Sequence, residues 1–177
     1  MDDVGNNPEQ TDTGAPPAEP SRRLISLRSE YRAAAGELLP LAQRELRIFD
    51  PDLADLGLHE EERTAQLRAF LRASRNNRLY VVLQNVEFFT RRAPRLMSLL
   101  GVFSGSMIVN LAQGDATRVE DCFMLCDELH FARRPVSAQP RGAVYLNDPG
   151  EGRGMRERFD QIWESSAPGV AATQIGL

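Results

Sequence analysis

The stretch Asp121-Cys122-Phe123-Met124-Leu125-Cys126-Asp127-Glu128-Leu129-His130-Phe131-Ala132 is where the grammar of this chain changes. Two runs of strand length flank Asp127-Glu128, a tight-turn pair, so the segment reads as a β-hairpin. Upstream of it, helices and strands alternate. Leu46–Phe49 is a short strand stopped by Asp50-Pro51-Asp52, and Ser106–Leu111 is another. Between them, Leu79–Leu83 is a continuous apolar run, the pattern of a strand covered on both faces. Glu60, Glu61 and Glu62 open a helix that Arg68, Arg72 and Arg75 close, a polarity that suits the helix dipole. Its inner face is Leu67, Phe70, Leu71 and Ser74. Pro94 suits the first turn of a helix carrying Leu96, Met97, Leu99, Leu100 and Phe103. Nearer the N-terminus, Leu24, Leu27, Tyr31, Ala34, Leu38 and Leu41 recur at helical spacing, with a kink expected at Pro40. Downstream of the hairpin, Gly142–Leu146 is a further strand. Met155, Phe159, Ile162 and Trp163 then mark a final amphipathic helix. The order βαβαβ, then hairpin, strand and helix, predicts an α/β domain with a mainly parallel sheet and helices on both faces.

The chain has 177 residues, 42% of them hydrophobic, and a formal charge of −4. That is one domain, or one domain and a tail. Residues 1–20 hold four prolines and five acids, with no aromatic and no arginine. Such a segment buries too little apolar surface to offset its ordering entropy, so we expect a disordered acidic tail and a single domain over residues 21–177. The tail leaves 20 acids against 21 basic residues, a folded part close to neutral. The chain's charge is too small and of the wrong sign for a general nucleic-acid or anionic-membrane binder, so neither is expected. All 21 basic residues are arginine, which excludes lysine Schiff bases, pyridoxal phosphate chemistry and a P-loop lysine. His59 and His130 are the only histidines, so a multi-histidine metal site cannot be built, and no cofactor is expected. Cys122 and Cys126 on one strand would stand roughly 13 Å apart, beyond the roughly 7 Å that a disulfide spans. They read as small buried residues of a reducing, cytoplasmic compartment. No signal peptide and no membrane span are expected.

Three groups of polar residues are candidates for function. Asp50-Pro51-Asp52 and Gln84-Asn85 follow strands, and ligands of open α/β sheets sit at the carboxyl ends of strands. The plain alternative is that they are turn and cap residues. His130, Arg133, Arg134 and Arg141, with Asp127 nearby, could hold a phosphate or carboxylate, since guanidinium groups grip such anions bidentately. On a straight strand His130 and Arg134 project to the same side. The alternative is that these arginines guard a sheet edge. Arg91, Arg92 and Arg95 are expected near a helix start, where they would oppose the dipole. Gly-x-Gly-x-x-Gly, Gly-x-Ser-x-Gly and Cys-x-x-Cys do not occur.

From about Ser106 to Ser166 the chain resembles one half of the phospholipase D superfamily. In that family a strand carries His-x-Lys-x-x-x-x-Asp, followed by a Gly-Ser-x-Asn segment, another strand and a helix ending near Leu-Trp. Here the run is Glu120-Asp121-Cys122-Phe123-Met124-Leu125-Cys126-Asp127. Aligned on Asp127, Glu120 stands at the histidine nucleophile and Cys122 at the phosphate-holding lysine. Arg134-Pro135 falls on Gly-Ser, and Phe159–Ser166 on the closing helix. The resemblance implies a phospholipase D-like half over residues 24–166 without the family's phosphohistidine chemistry. Arg44–Leu53 and Gln139–Gly142 also resemble an uncharacterised proteobacterial domain family whose members often follow a GNAT-type acetyltransferase domain. The resulting expectation is a non-catalytic binding or regulatory module, a pseudoenzyme. A phosphodiesterase rebuilt from His130 and the arginines, or a scaffold docking on an acetyltransferase, are the alternatives. The expected partners are a phosphate-containing or other anionic small ligand at Asp127, His130, Arg133, Arg134, Arg141, Asp50 and Asn85, and a second copy of the chain. The homodimer would be closed through Asp127–Arg134 and Val136–Arg141.

Overall fold

A computed structural model of the protein describes residues 18–171. All but the last three residues of the expected tail lie outside them. The elements are β1 (Ser21–Ile25), α1 (Arg28–Leu38), β2 (Glu45–Asp50), α2 (Glu61–Ala73), β3 (Arg78–Leu83), α3 (Glu87–Arg92), α4 (Pro94–Val102), β4 (Met107–Ala112), β5 (Cys122–Cys126), β6 (His130–Arg134), β7 (Gly142–Leu146), α5 (Pro149–Glu164) and β8 (Ser166–Pro168). The eight strands form one sheet in the order β1-β7-β6-β5-β2-β3-β4-β8.

The expected mainly parallel sheet is corrected. Only β2–β3 and β3–β4 are parallel; the other five pairings are antiparallel. The cause is the hairpin itself. A turn this short joins only antiparallel strands: it is the three residues Asp127-Glu128-Leu129, with Asp127 and Glu128 both at positive φ (52° and 60°). β5 then returns along the free side of β2, pairing Leu46 with Cys126 and Phe49 with Phe123. β6 and β7 continue outward without a crossover helix.

A second correction concerns Leu24 and Leu27. They match a helical stripe, yet they are 69% and 58% exposed, and Leu24 belongs to edge strand β1, paired with β7. The helix starts later because the Glu30 carboxylate accepts the backbone N–H groups of Ser26 and Leu27, at 2.7 and 2.9 Å. The buried face of α1 is Tyr31, Ala34, Ala35 and Leu38. A third correction concerns Arg91 and Arg92. They occupy the last turn of α3, where cations favour the dipole, and Arg91 pairs with Glu87 at 3.1 Å.

Strand alternation divides the core in two. Leu46 and Ile48 of β2 face α1, α2 and α4, with Leu79, Val81, Met124 and Ala132. Phe49 faces the other way, toward Met155, Phe159 and Ile162 of α5, with Val82, Phe123, Leu125 and Phe131. Helices therefore cover both faces, as expected. α5 sits close on the hairpin because residue 152 is glycine: a Cβ there would run into the Glu128 carbonyl.

Candidate functional site

Asp50 is the last residue of β2, and on the face toward α1 it meets three side chains from other elements. The three-residue turn Asp127–Leu129 sets the register of the hairpin, so Cys122 at the start of β5 pairs with Arg134 at the end of β6. Both point toward Tyr31 of α1. The Arg134 guanidinium lies over the Tyr31 ring at 4.5 Å. Its Nε donates to Cys122 Sγ at 3.4 Å, and its Nη2 donates to Asp55 Oδ2 at 2.8 Å. Arg28 at the start of α1 also pairs with Asp55, and it donates to the Ala138 carbonyl at 2.8 Å. α1, the loop after β2 and the segment after β6 are thereby joined.

The cluster is dry and incompletely bonded. Asp50 and Arg134 are each 1% exposed. Asp50 Oδ1 accepts the backbone N–H groups of Leu53 at 2.8 Å and Asp52 at 3.2 Å. Asp50 Oδ2, Arg134 Nη1 and the Tyr31 hydroxyl have no partner among the described residues. Burial pushes the Asp50 carboxyl up to about 6, against the pull of the two amides and of Arg134. Burial and the neighbouring Asp50 likewise push the Cys122 thiol up to about 11. Burial holds the Tyr31 phenol well above its ordinary range. For Arg134, burial works against the charge, but its bonds to Cys122 and Asp55 outweigh it, so the guanidinium stays firmly protonated.

A cleft of about 340 Å³ opens on this cluster. Asp50, Asp52, Asp55, Arg28, Arg134 and Ser137 line it. It lies at the carboxyl end of β2, where ligands of α/β sheets bind. A larger cleft of about 770 Å³ lies at the opposite end of the sheet, lined by Gln43, Arg44, Asn76, Asn77 and Asp127 among others. Its three carboxylates are already engaged: Asp127 accepts the backbone N–H groups of Gln43, Arg44 and Glu45, and Glu45 and Glu128 pair with Arg156 at 3.5 and 2.7 Å. The smaller cleft is therefore the better candidate.

Of the residues singled out in the sequence, Asp50, Pro51, Asp52 and Arg134 come together at this cleft. The expected guanidinium–imidazole cluster does not form. His130 and Arg134 do share a face of β6, but they stand at its two ends, roughly 13 Å apart. His130 Nδ1 accepts the Asn147 backbone N–H at 3.0 Å, and burial lowers its pKa, so the ring is a neutral structural acceptor. Arg133 points to the α5 face, where it and Arg158 both bind Asp121, at 2.9 and 2.6 Å. Arg141 is exposed just before β7. Asn85 is exposed and caps the backbone N–H of Glu87 at 2.7 Å. Tyr31 and Asp55 carried no signal in the sequence. Cys122 did: it stands where the resemblance puts a phosphate-holding lysine, and the cation comes instead from Arg134 on the next strand.

Among the described residues, no group of three or more His, Cys, Asp or Glu side chains is arranged to hold a metal ion. No described helix is long and apolar enough to cross a membrane.

Residues 27–172 match the model of a family described as Domain of unknown function (DUF7931). A search of curated proteins gives no match. Among solved structures, the chain is similar to Nuc from Salmonella typhimurium, a phospholipase D family member. The TM-score is 0.61 at 13% identity, over 86% of this chain and 100% of that one. NucT from Helicobacter pylori superposes with a TM-score of 0.58 at 11% identity, over 85% and 100% of the two chains. The archaeal chromatin protein TrmBL2, described as showing a novel mode of DNA binding, gives a TM-score of 0.61 at 15% identity, over 90% of this chain. The match spans only 57% of TrmBL2. At these identities the likeness is one of fold: the architecture is phospholipase D-like.

Proposed function

We propose a non-catalytic binding role for this chain, which belongs to the family described as Domain of unknown function (DUF7931) and has a phospholipase D-like fold. The observation that carries the reading is the fate of the motif positions. Nucleophilic catalysis needs an activated nucleophile within reach of a base. Glu120 is exposed in the loop before β5, and among the described residues only its backbone carbonyl is engaged, by the Ser137 N–H at 2.7 Å. Cys122 is buried, and its thiol, pushed up to about 11, stays protonated at neutral pH. Asp127 is occupied by three backbone amides. What remains is a polar cleft holding unpartnered buried atoms, a binding site without a reacting group.

The expected result is no turnover of bis-(p-nitrophenyl) phosphate, single-stranded DNA or phosphatidylcholine, with or without divalent metal. Turnover that His130→Ala or Arg134→Ala abolishes would overturn the reading in favour of a rebuilt phosphodiesterase.

Self-association belongs to the same proposal. A single phospholipase D-like half leaves the cleft end of its sheet open, and a twofold dimer would cover it with one self-complementary patch. Arg134 is buried and Asp127 lies at the far end of the hairpin, so the exposed contributors come from Val136–Arg141. Light scattering at micromolar concentration should give about twice the 19.8 kDa chain mass. A monomer mass throughout would sink the dimer and leave that end for another protein, an acetyltransferase among the candidates.

A further inference from the structure

The binding role does not say what is bound, but the hydrogen-bonding inventory of the cleft narrows it. Three carboxylates (Asp50, Asp52, Asp55) and two guanidinium groups (Arg28, Arg134) line the cleft. Both guanidinium groups bind the same carboxylate, Asp55. No ion pair joins Arg134 to Asp50 among the described residues, although each is close enough to be felt by the other. The excess charge in the cleft is therefore negative. Asp52 Oδ1 is taken up by the Ala54 backbone N–H at 2.9 Å. Two buried lining atoms are left without a partner: Asp50 Oδ2, which accepts, and Arg134 Nη1, which only donates. The Tyr31 ring lies beneath the Arg134 guanidinium, and its hydroxyl sits beside Cys122.

Each class of ligand can be set against those two atoms. A phosphate or carboxylate oxygen only accepts. It would satisfy Arg134 while placing a second anion beside Asp50. An ammonium group only donates. It would satisfy Asp50 while placing a second cation beside Arg134. A hydroxyl accepts and donates at once, and it carries no charge. A buried donor or acceptor left unmade costs about 1–3 kcal/mol, so the group that completes both atoms is strongly preferred over one that completes either.

Resting on the binding reading above, we propose that the cleft between Asp50 and Arg134 receives the hydroxyl groups of a neutral polyol or sugar. A hydroxyl that reached both buried atoms would accept from Arg134 Nη1 and donate to Asp50 Oδ2, and Ser137 is a further lining residue for its neighbour. The volume, about 340 Å³, is at the lower end of small-molecule sites, enough for one such ring.

The test is a two-dimensional amide NMR titration of the full chain with D-ribose, myo-inositol, inorganic phosphate and putrescine, followed by the same titration of Asp50→Asn. The wild-type protein should respond saturably to a polyol, with shifts confined to residues 28–31, 50–55 and 134–138, and not to phosphate or putrescine. Asp50→Asn keeps the oxygen that accepts from Leu53 and Asp52 but turns the free acceptor into a donor. Its preference should therefore move toward phosphate by about tenfold relative to the polyol, the size of one buried hydrogen bond. Wild-type protein that binds phosphate and ignores polyols would overturn the ligand class and leave the binding role standing. No response to any probe would mean that water alone completes the two atoms, and the inference fails. Phosphodiester turnover would instead overturn the binding role itself.

Discussion

Asp50→Asn raises the melting temperature by roughly 4–8 °C at pH 8 and lowers it by a few degrees at pH 4. The Asp50 carboxyl titrates at about 6 in the folded protein, against 3.8 in the absence of structure. The groups around it are Tyr31 from α1, Cys122 from β5, Arg134 from β6, and Asp52 and Asp55 in its own loop. Because the folded pKa is raised, the folded state holds the extra proton between those two values. Stability from this group therefore falls as pH rises from about 4 to 6, and the loss is complete above pH 6. That interval, about two pH units wide, corresponds to about 3 kcal/mol of destabilisation at pH 8. The new amide brings an unpartnered N–H of its own, which takes back about 1 kcal/mol. The remaining 2 kcal/mol, at about 2–4 °C per kcal/mol for a chain of this size, gives the stated rise. Toward pH 4 the ionisation penalty disappears and only the amide's cost of about 1 kcal/mol remains, so the substitution becomes slightly destabilising. Melting curves of both proteins at the two pH values decide the matter. An equal rise at both, or a fall at pH 8, would show that the carboxylate is not the source. A residue that costs stability at a cleft is what a binding function retained against stability looks like.

The sequence carried the local elements well and their arrangement poorly. β3 was legible because Leu79–Leu83 is apolar throughout, and such a run belongs to a strand covered on both faces. α5 was legible because Met155, Phe159 and Ile162 form a helical stripe. β8 was not, since Ser166-Ala167-Pro168 is three residues long and is held by pairing with Asn110–Ala112 rather than by its own propensity. Edge strand β1 was hidden because Leu24 and Leu27 happen to sit three apart, and an edge strand buries too little to leave a period of its own. The direction of the sheet could have been inferred in part. A tight turn at Asp127-Glu128 forces antiparallel strands, but it takes in Leu129 as well, and that third residue is what sets Cys122 opposite Arg134. The adjacency of β5 to β2, however, is a long-range choice that no local pattern encodes. For the same reason Asp50 and Arg134 each drew notice separately, and nothing in the sequence placed them around one cleft with Tyr31.

Asp127→Ala should lower the melting temperature by roughly 6–12 °C and leave the response of the cleft to polyols intact. Asp127 matches the acidic residue of the phospholipase D motif, and a reading by motif would give it a place in the reaction. The structure gives it a different task. Its Oδ1 accepts the N–H groups of Arg44 at 2.8 Å and Glu45 at 2.7 Å, and its Oδ2 accepts that of Gln43. Its own N–H donates to the Glu45 carbonyl at 3.1 Å. One carboxylate thus fastens the hairpin turn to the chain entering β2, which holds the two halves of the sheet in register. The donors are half-exposed or exposed, so water replaces part of each lost bond. We assign about 2 kcal/mol to the three together, within the range for bonds to charged groups. Alanine at φ 52° adds about 1 kcal/mol of left-handed backbone strain. The total of about 3 kcal/mol, at about 2–4 °C each, sets the expected fall. Asp127→Gly separates the two parts: it relieves the strain but not the lost bonds, and should recover about a third of the fall. An unchanged melting temperature together with a lost polyol response would return Asp127 to the binding site. The drop with an intact response would show that this acid serves the turn and not the cleft.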